Sequence, residues 1–272
     1  MNNFVYFGTP EVAKETLAML LEHGLVPVLV VASPDAPRGR GLVLTPSPTK
    51  VLAQEHSIPV ITPERLDDET VRTIQSYGAQ VGICVAYGKI FPESLIAAFQ
   101  DGVLNIHYSL LPKYRGATPL EGALLSGETT TGVSIQKMVK ALDAGDVIAQ
   151  EPLDIEASDT AKDLRPRLIE LGARLLIKTL PAYLAHELSL TPQDESCATH
   201  SGKFKKVDGE IKLEAPGDVN WRKYRAFNDS IGTFFFKNGV RYKITRATFG
   251  KGTFHIERVI PEGKQEQDYV ID

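Results

Sequence analysis

Two polar side chains, Asn105 and His107, end the apolar stretch Val103-Leu104-Asn105-Ile106-His107. Residues i and i+2 of a strand share a face, so the amide and the imidazole point one way and Ile106 the other. Pro112 rules out a continuing central strand and leaves His107 at a strand exit. An imidazole can take or give a proton near neutral pH, and an amide can donate to a developing oxyanion. Such a pair without a serine or cysteine nucleophile suits direct acyl transfer between two bound substrates. It lacks a carboxylate to set the imidazole. Asp143, in Leu142-Asp-Ala-Gly-Asp146, follows the next strand at a turn that could reach the same sheet edge. On the residues alone two readings stand: a strand-end histidine beside an ordinary turn aspartate, or a catalytic set.

The elements that must position them read as α/β. Asn3 to Phe7 is a buried strand, Glu11 to His23 an amphipathic helix, and Val26 to Ala32 a second strand. Thr9 suits the helix N-cap, Pro10 its first position and Gly24 its stop. This order is a βαβ unit and implies a mostly parallel sheet, Rossmann-like, with helices on both faces. Further helices are expected over 49–56, 67–77, 92–99, 117–126 and 161–186, and further strands over 59–61, 81–86 and 147–152. Residues 131–138 alternate like a strand facing water on one side. After a polar, turn-rich segment the pattern changes to short β-like pieces at 233–236, 241–248 and 253–260. The expected organisation is a catalytic domain over 1–189, a linker over 190–205 and a small β-rich C-terminal domain over 206–272.

Composition excludes several classes. With 43% hydrophobic and 24% charged residues, the chain is ordinarily globular. Its start, MNNFVYFGTP, lacks signal-peptide character, and its longest apolar run, Leu25 to Ala32, contains Pro27 and is too short to span a bilayer. A soluble, cytoplasmic protein is expected, with no membrane partner. Two distant cysteines, Cys84 and Cys197, give no disulfide framework, and six histidines without ligand spacing give no metal site. Gly8-Thr9-Pro10 lacks both the G-x-G-x-x-G and the Walker pattern, so it reads as a tight turn that could still border a ligand. The net charge of −4 conceals a basic stretch over 200–258, with 13 Lys and Arg against 6 Asp and Glu. That suits either a solvated face or a polyanionic partner.

Three linked motifs, L-N-I-H-Y-S-L-L-P-K-Y-R-G-A-T-P, T-G-V-S-I and L-D-A-G-D, resemble the formyltransferase family that uses 10-formyltetrahydrofolate. The resemblance implies that Asn105, His107 and Asp143 are the catalytic set. It implies a folate site along Ser109, Leu110, Leu111 and Pro112, with backbone around Tyr87, Gly88 and Ile90. The stretches F-G-T-P, P-D-A-P-R-G-R-G-L-V-L-T-P-S-P-T-K and V-N-W-R-K-Y-R-A-F-N are similar to the family branch that formylates initiator methionyl-tRNA. Arg38 and Arg40 would then engage the tRNA acceptor end, with Arg40 at the position of the key arginine. Lys203, Lys205, Lys206, Arg222, Lys223 and Arg225 would follow its phosphates. The resemblance also implies a monomer and an open β-barrel (OB-like) C-terminal domain, which looks shortened by a few tens of residues. Departures are Leu42 and Val43 where lysines often follow G-R-G, Val12 for an aromatic, and Asn228-Asp-Ser-Ile231 for N-P-W-P. Rival readings are a formyltransferase for amino-sugar nucleotides, a hydrolase of 10-formyltetrahydrofolate, and an RNA-binding protein without catalysis.

Overall fold

A computed structural model of the chain describes residues 3–39 and 41–270, apart from the side chain of Arg38. In chain order its elements are β1 (Phe4–Gly8), α1 (Glu11–Glu22), β2 (Leu29–Val31), β3 (Ala36–Arg38), β4 (Val43–Thr45), α2 (Pro48–Glu55), β5 (Val60–Ile61), α3 (Asp68–Gln75), β6 (Val81–Val85), α4 (Glu93–Ile96), β7 (Val103–His107), β8 (Arg115–Gly116), α5 (Pro119–Ser126), β9 (Thr130–Lys137), β10 (Val147–Asp154), α6 (Ala161–Leu184), β11 (His200–Ser201), α7 (Gly217–Phe227), β12 (Thr233–Lys237), β13 (Val240–Gly250), β14 (Thr253–Pro261) and β15 (Gln267–Asp268). They form two compact units that interleave along the chain. The first takes Met1–Lys113, Gly132–Glu151 and Leu168–Ala198, and the second Tyr114–Thr131, Pro152–Arg167 and Thr199–Asp272.

The first unit is built on a sheet of order β10-β9-β7-β6-β1-β2-β5. Strands β5, β2, β1, β6 and β7 run parallel, and β9 runs antiparallel to β7. The continuous apolar runs FVYFG, LVV and VGICV are buried throughout, as strands covered on both faces must be. Capping follows the side chains: Ser47 Oγ accepts from Lys50 N at the start of α2, and Asp67 Oδ1 accepts from Thr70 N at the start of α3. On one face Phe7 meets Phe91, Tyr87 and Phe99 edge-on, with ring centroids 4.9, 5.8 and 6.0 Å apart.

Strand order reverses between β1 and β6, which opens a crevice at their carboxyl ends. Thr9 lies there. Its expected N-cap role falls to Pro10, which offers no side-chain cap. The Thr9 hydroxyl instead accepts from Ser33 N (3.1 Å) and lies 3.4 Å from the Tyr87 carbonyl, tying together the ends of β1, β2 and β6.

Strand β9 departs from expectation too. Its six inner residues are all buried, not alternately wet. Helix α6 covers one face: a Cβ on Gly172 would lie 2.9 Å from Ile106 and 3.3 Å from Val133. The other face carries Ser134 and Gln136, whose Oγ and Nε2 are hydrogen-bonded within the protein as described below.

In the second unit α7 packs on α5 and on an open antiparallel sheet of order β12-β13-β14-β15. Ile211, Tyr224, Phe235, Ile244, Ala247 and Val259 form its core. The polar 190–202 segment is partly ordered by pairing: β11 runs parallel to β8, and Thr191 bridges to Val147. Among the described residues, no helix is long and apolar enough to cross a membrane.

Candidate active site

The register of β7 and β9 sets Asn105 opposite Gln136 and His107 opposite Ser134. Directly opposed residues point to the same face, so all four side chains converge, and Ile106 turns away as alternation requires. His107 is buried, whereas Asn105 keeps partial access to solvent.

Asp143 joins them from the loop after β9. Its φ of +50° is a left-handed conformation that aspartate tolerates better than most residues. The loop is clamped at several points. Lys137 N donates to Asp146 O at 2.9 Å. Gly145 lies so close to β9 that a Cβ there would sit 1.7 Å from the Lys137 carbonyl oxygen. Gln193 Nε2 donates to the carbonyls of Asp143 (2.8 Å) and Gly145 (2.7 Å). The carboxylate itself accepts from Gln136 Nε2 at 2.8 Å through Oδ1, and its Oδ2 lies 3.7 Å from His107 Nδ1. An amide donor, an imidazole and a carboxylate thus occupy one mostly buried cluster.

The turn after β7 is organised by a buried hydroxyl. Ser134 Oγ donates to Ser109 O (2.6 Å) and accepts from Leu111 N (3.0 Å). Gln150 Nε2 donates to both Leu111 O (2.7 Å) and Ser134 Oγ (2.8 Å). Ser109 Oγ donates to Lys113 O at 2.6 Å, and the Leu111–Pro112 bond is cis. Leu110 and Pro112 remain partly accessible beside His107, while Leu111 is buried. Both serine hydroxyls are therefore spent on the backbone. The other candidate nucleophile, Cys84, is buried in β6, and burial pushes its thiol from 9.0 up to about 12, so it stays neutral.

Of the β6 exit residues, Tyr87 puts its ring in the core, where burial holds its hydroxyl well above the usual range. Gly88 has φ +83°, and Ile90 is 93% exposed.

The basic residues divide. Lys203, Lys205 and Lys206 are exposed. Arg222 pairs with Asp218, and Lys223 Nζ donates to Glu210 O at 2.8 Å. Arg225, expected among the tRNA contacts, is buried. Its Nη1 donates to Glu156 O (3.2 Å) and Asp159 O (3.3 Å), so it holds the second unit's own backbone. Arg40 lies outside the described residues, and Arg38 is placed only as a residue of β3.

Sequence reasoning missed Ser134, Gln136, Gln150 and Gln193. For the first two, alternation shows that they share a face of β9, but only the pairing with β7 sets that face against Asn105 and His107. Gln193 had no signal, because its bonds span some fifty residues.

Residues 2–180 match the family model described as formyl transferase. The methionyl-tRNA formyltransferase of Heliobacterium modesticaldum is 39% identical over 242 residues, covering 89% of this chain and 77% of that protein. The enzyme of the same name from Bdellovibrio bacteriovorus is 41% identical over 247 residues, with 89% and 77% covered. Among solved structures, an N-formyltransferase from Helicobacter canadensis, in complex with folinic acid and dTDP-3-aminofucose, superposes with a TM-score of 0.71 at 20% identity, covering 92% of this chain and 88% of that one. A methionyl-tRNA formyltransferase from Clostridium thermocellum superposes with a TM-score of 0.64 at 16% identity, covering 96% and 99%. These two likenesses reflect the fold, while the family model and the more identical relatives establish that the chain belongs to the formyl transferase family.

Proposed function

We propose that this protein transfers the formyl group of 10-formyltetrahydrofolate to the α-amine of initiator methionyl-tRNA, acting as a cytoplasmic monomer. The convergence of Asn105, His107 and Asp143 beside the Ser109–Pro112 turn carries the reading. The relatives named for this reaction support the acceptor.

The neutral amine attacks the formyl carbon, and a C–N bond forms as negative charge develops on the formyl oxygen. Asn105 donates to that oxygen from a partly accessible position on β7, and His107 stands beside it. Removing one such donor typically slows a reaction by roughly a hundred- to a thousandfold. Asp143 holds the imidazole as it accepts the proton leaving the amine. The bond to N10 of the folate then breaks, its electron pair stays on that nitrogen, and the proton is returned there. No covalent enzyme intermediate is required, in keeping with the spent hydroxyls of Ser109 and Ser134 and the neutral thiol of Cys84.

The folate would lie along the Ser109–Pro112 turn and the backbone of Tyr87 and Gly88, with Ile90 against its ring. For the tRNA, Lys203, Lys205 and Lys206 offer free positive charge, Arg222 and Lys223 are partly accessible, and Arg38 and Arg40 belong to the segment assigned to the acceptor end. The test offers the purified protein 10-formyltetrahydrofolate with charged initiator tRNA, with a dTDP-amino sugar, or with water alone. Formylation of the tRNA at least a hundredfold faster than the other two reactions is expected. A preference for the sugar, or formate release without an amine, overturns the reading.

A further inference from the structure

Gln136 is a buried amide on the sheet face that carries the reaction, yet the three-residue catalytic set does not include it. It stands directly opposite Asn105, is 1% exposed, and donates Nε2 to Asp143 Oδ1 at 2.8 Å. Its own Oε1 is buried and has no hydrogen-bond partner among the described residues. An unpaired buried oxygen costs stability, and an apolar side chain of the same length would avoid that cost. Local rules broken without a stability gain mark a functional position.

The geometry says what the amide does. A carboxylate on a loop can rotate about its terminal bond, which has a broad, nearly two-fold profile. Gln193 holds the backbone of that loop through the carbonyls of Asp143 and Gly145. Gln136 reaches Oδ1, and fixing Oδ1 turns Oδ2 toward His107 Nδ1, 3.7 Å away. The amide does not itself titrate, so its hold on the carboxylate persists as the imidazole gains and loses a proton during the reaction.

We infer that Gln136 is a positioning residue for formyl transfer, acting on His107 through Asp143. The inference rests on the proposed formyltransferase reading, but part of its test does not need activity.

The protein is compared with Gln136→Met, which keeps the volume and removes the donor, and with Gln136→Glu, Asp143→Ala and the double variant Gln136→Met/Asp143→Ala. In Gln136→Met, kcat is expected to fall about ten- to a hundredfold, the range found when outer partners of working side chains are removed. KM for folate and tRNA should stay within about twofold. In the Asp143→Ala background, Gln136→Met should change kcat less than about twofold, because its acceptor is gone. In Gln136→Glu, two carboxyls meet and must share a proton. Its activity relative to the parent should therefore improve as pH falls, when the introduced carboxyl can donate as the amide did.

The activity-free arm follows the His107 imidazole by nitrogen NMR. The parent should favour the Nδ1–H tautomer that faces Asp143, and Gln136→Met should shift toward a mixture. Unchanged tautomer populations, or a full Gln136→Met defect that persists in the Asp143→Ala background, would overturn the inference. If the parent transfers no formyl group to methionyl-tRNA, the acceptor reading fails and the NMR result alone decides the role of Gln136.

Discussion

Gln193 holds Asp143 by its backbone. One side-chain amide donates to the Asp143 carbonyl at 2.8 Å and to the Gly145 carbonyl at 2.7 Å, across some fifty residues of chain. The polar 190–202 segment thereby becomes part of the mount for the carboxylate proposed to act with His107. Gln193→Ala removes both bonds and should cost about 1–2 kcal/mol of stability, seen as a lower urea midpoint. It should also lower kcat roughly tenfold by freeing the loop. Activity and midpoint both equal to the parent's would show that the loop holds itself.

Two of the proposed catalytic side chains can be tested directly. Asn105→Ala should lower kcat about a hundred- to a thousandfold with little change in KM, since its bond to the oxyanion exists only in the transition state. His107→Ala should be at least as damaging. Single-turnover rates on folded protein, verified by circular dichroism, decide this, and a near-normal rate for His107→Ala would refute the assignment.

Gly145→Ala tests the loop from the other side. The added methyl would fall 1.7 Å from the Lys137 carbonyl oxygen, a backbone atom that cannot step aside without opening the β9–β10 connection. Turnover should drop to near the Asp143→Ala level while the second unit keeps its fold. A crystal structure of the variant with Asp143 unmoved would contradict this account.

Cys84 makes stability depend on alkaline pH. Its folded thiol titrates at about 12 because burial disfavours the thiolate, against an ordinary 9.0 in the unfolded chain. Above pH 9 the unfolded chain binds fewer protons than the folded one, so stability falls as pH rises from 9 toward 12. Tyr183, also raised to about 12 by burial, adds to the same loss at somewhat higher pH. Cys84→Ala should flatten the decline in urea midpoint between pH 9 and 10. At pH 8, iodoacetamide should alkylate exposed Cys197 and spare Cys84.

Exposed Lys203, Lys205 and Lys206 should make the KM for tRNA strongly dependent on salt, through counterion release. Replacing all three by glutamine should reduce the log–log salt slope by about 2–3 if each meets one phosphate. The KM for folate should not respond. Arg225→Gln should instead lower stability, because that guanidinium serves carbonyls of Glu156 and Asp159 inside the second unit.

What the sequence determined by itself is what depends on near neighbours. The βαβ start, the buried strands, the shared face of Asn105 and His107, and most helix spans follow from periodicity, capping residues and Pro and Gly positions, all effects acting over a few residues. The pairing of β9 with β7 was beyond it, because the same alternation suits a half-wet edge strand and a strand buried between α6 and the Asp143 loop. Tertiary structure alone decided that Gln136 and Gln193 mount Asp143, that Ser134 and Gln150 shape the turn after His107, and that Arg225 faces inward. A hydrogen bond between distant residues leaves no local pattern, since each partner forms an equally good one with water until the fold excludes it.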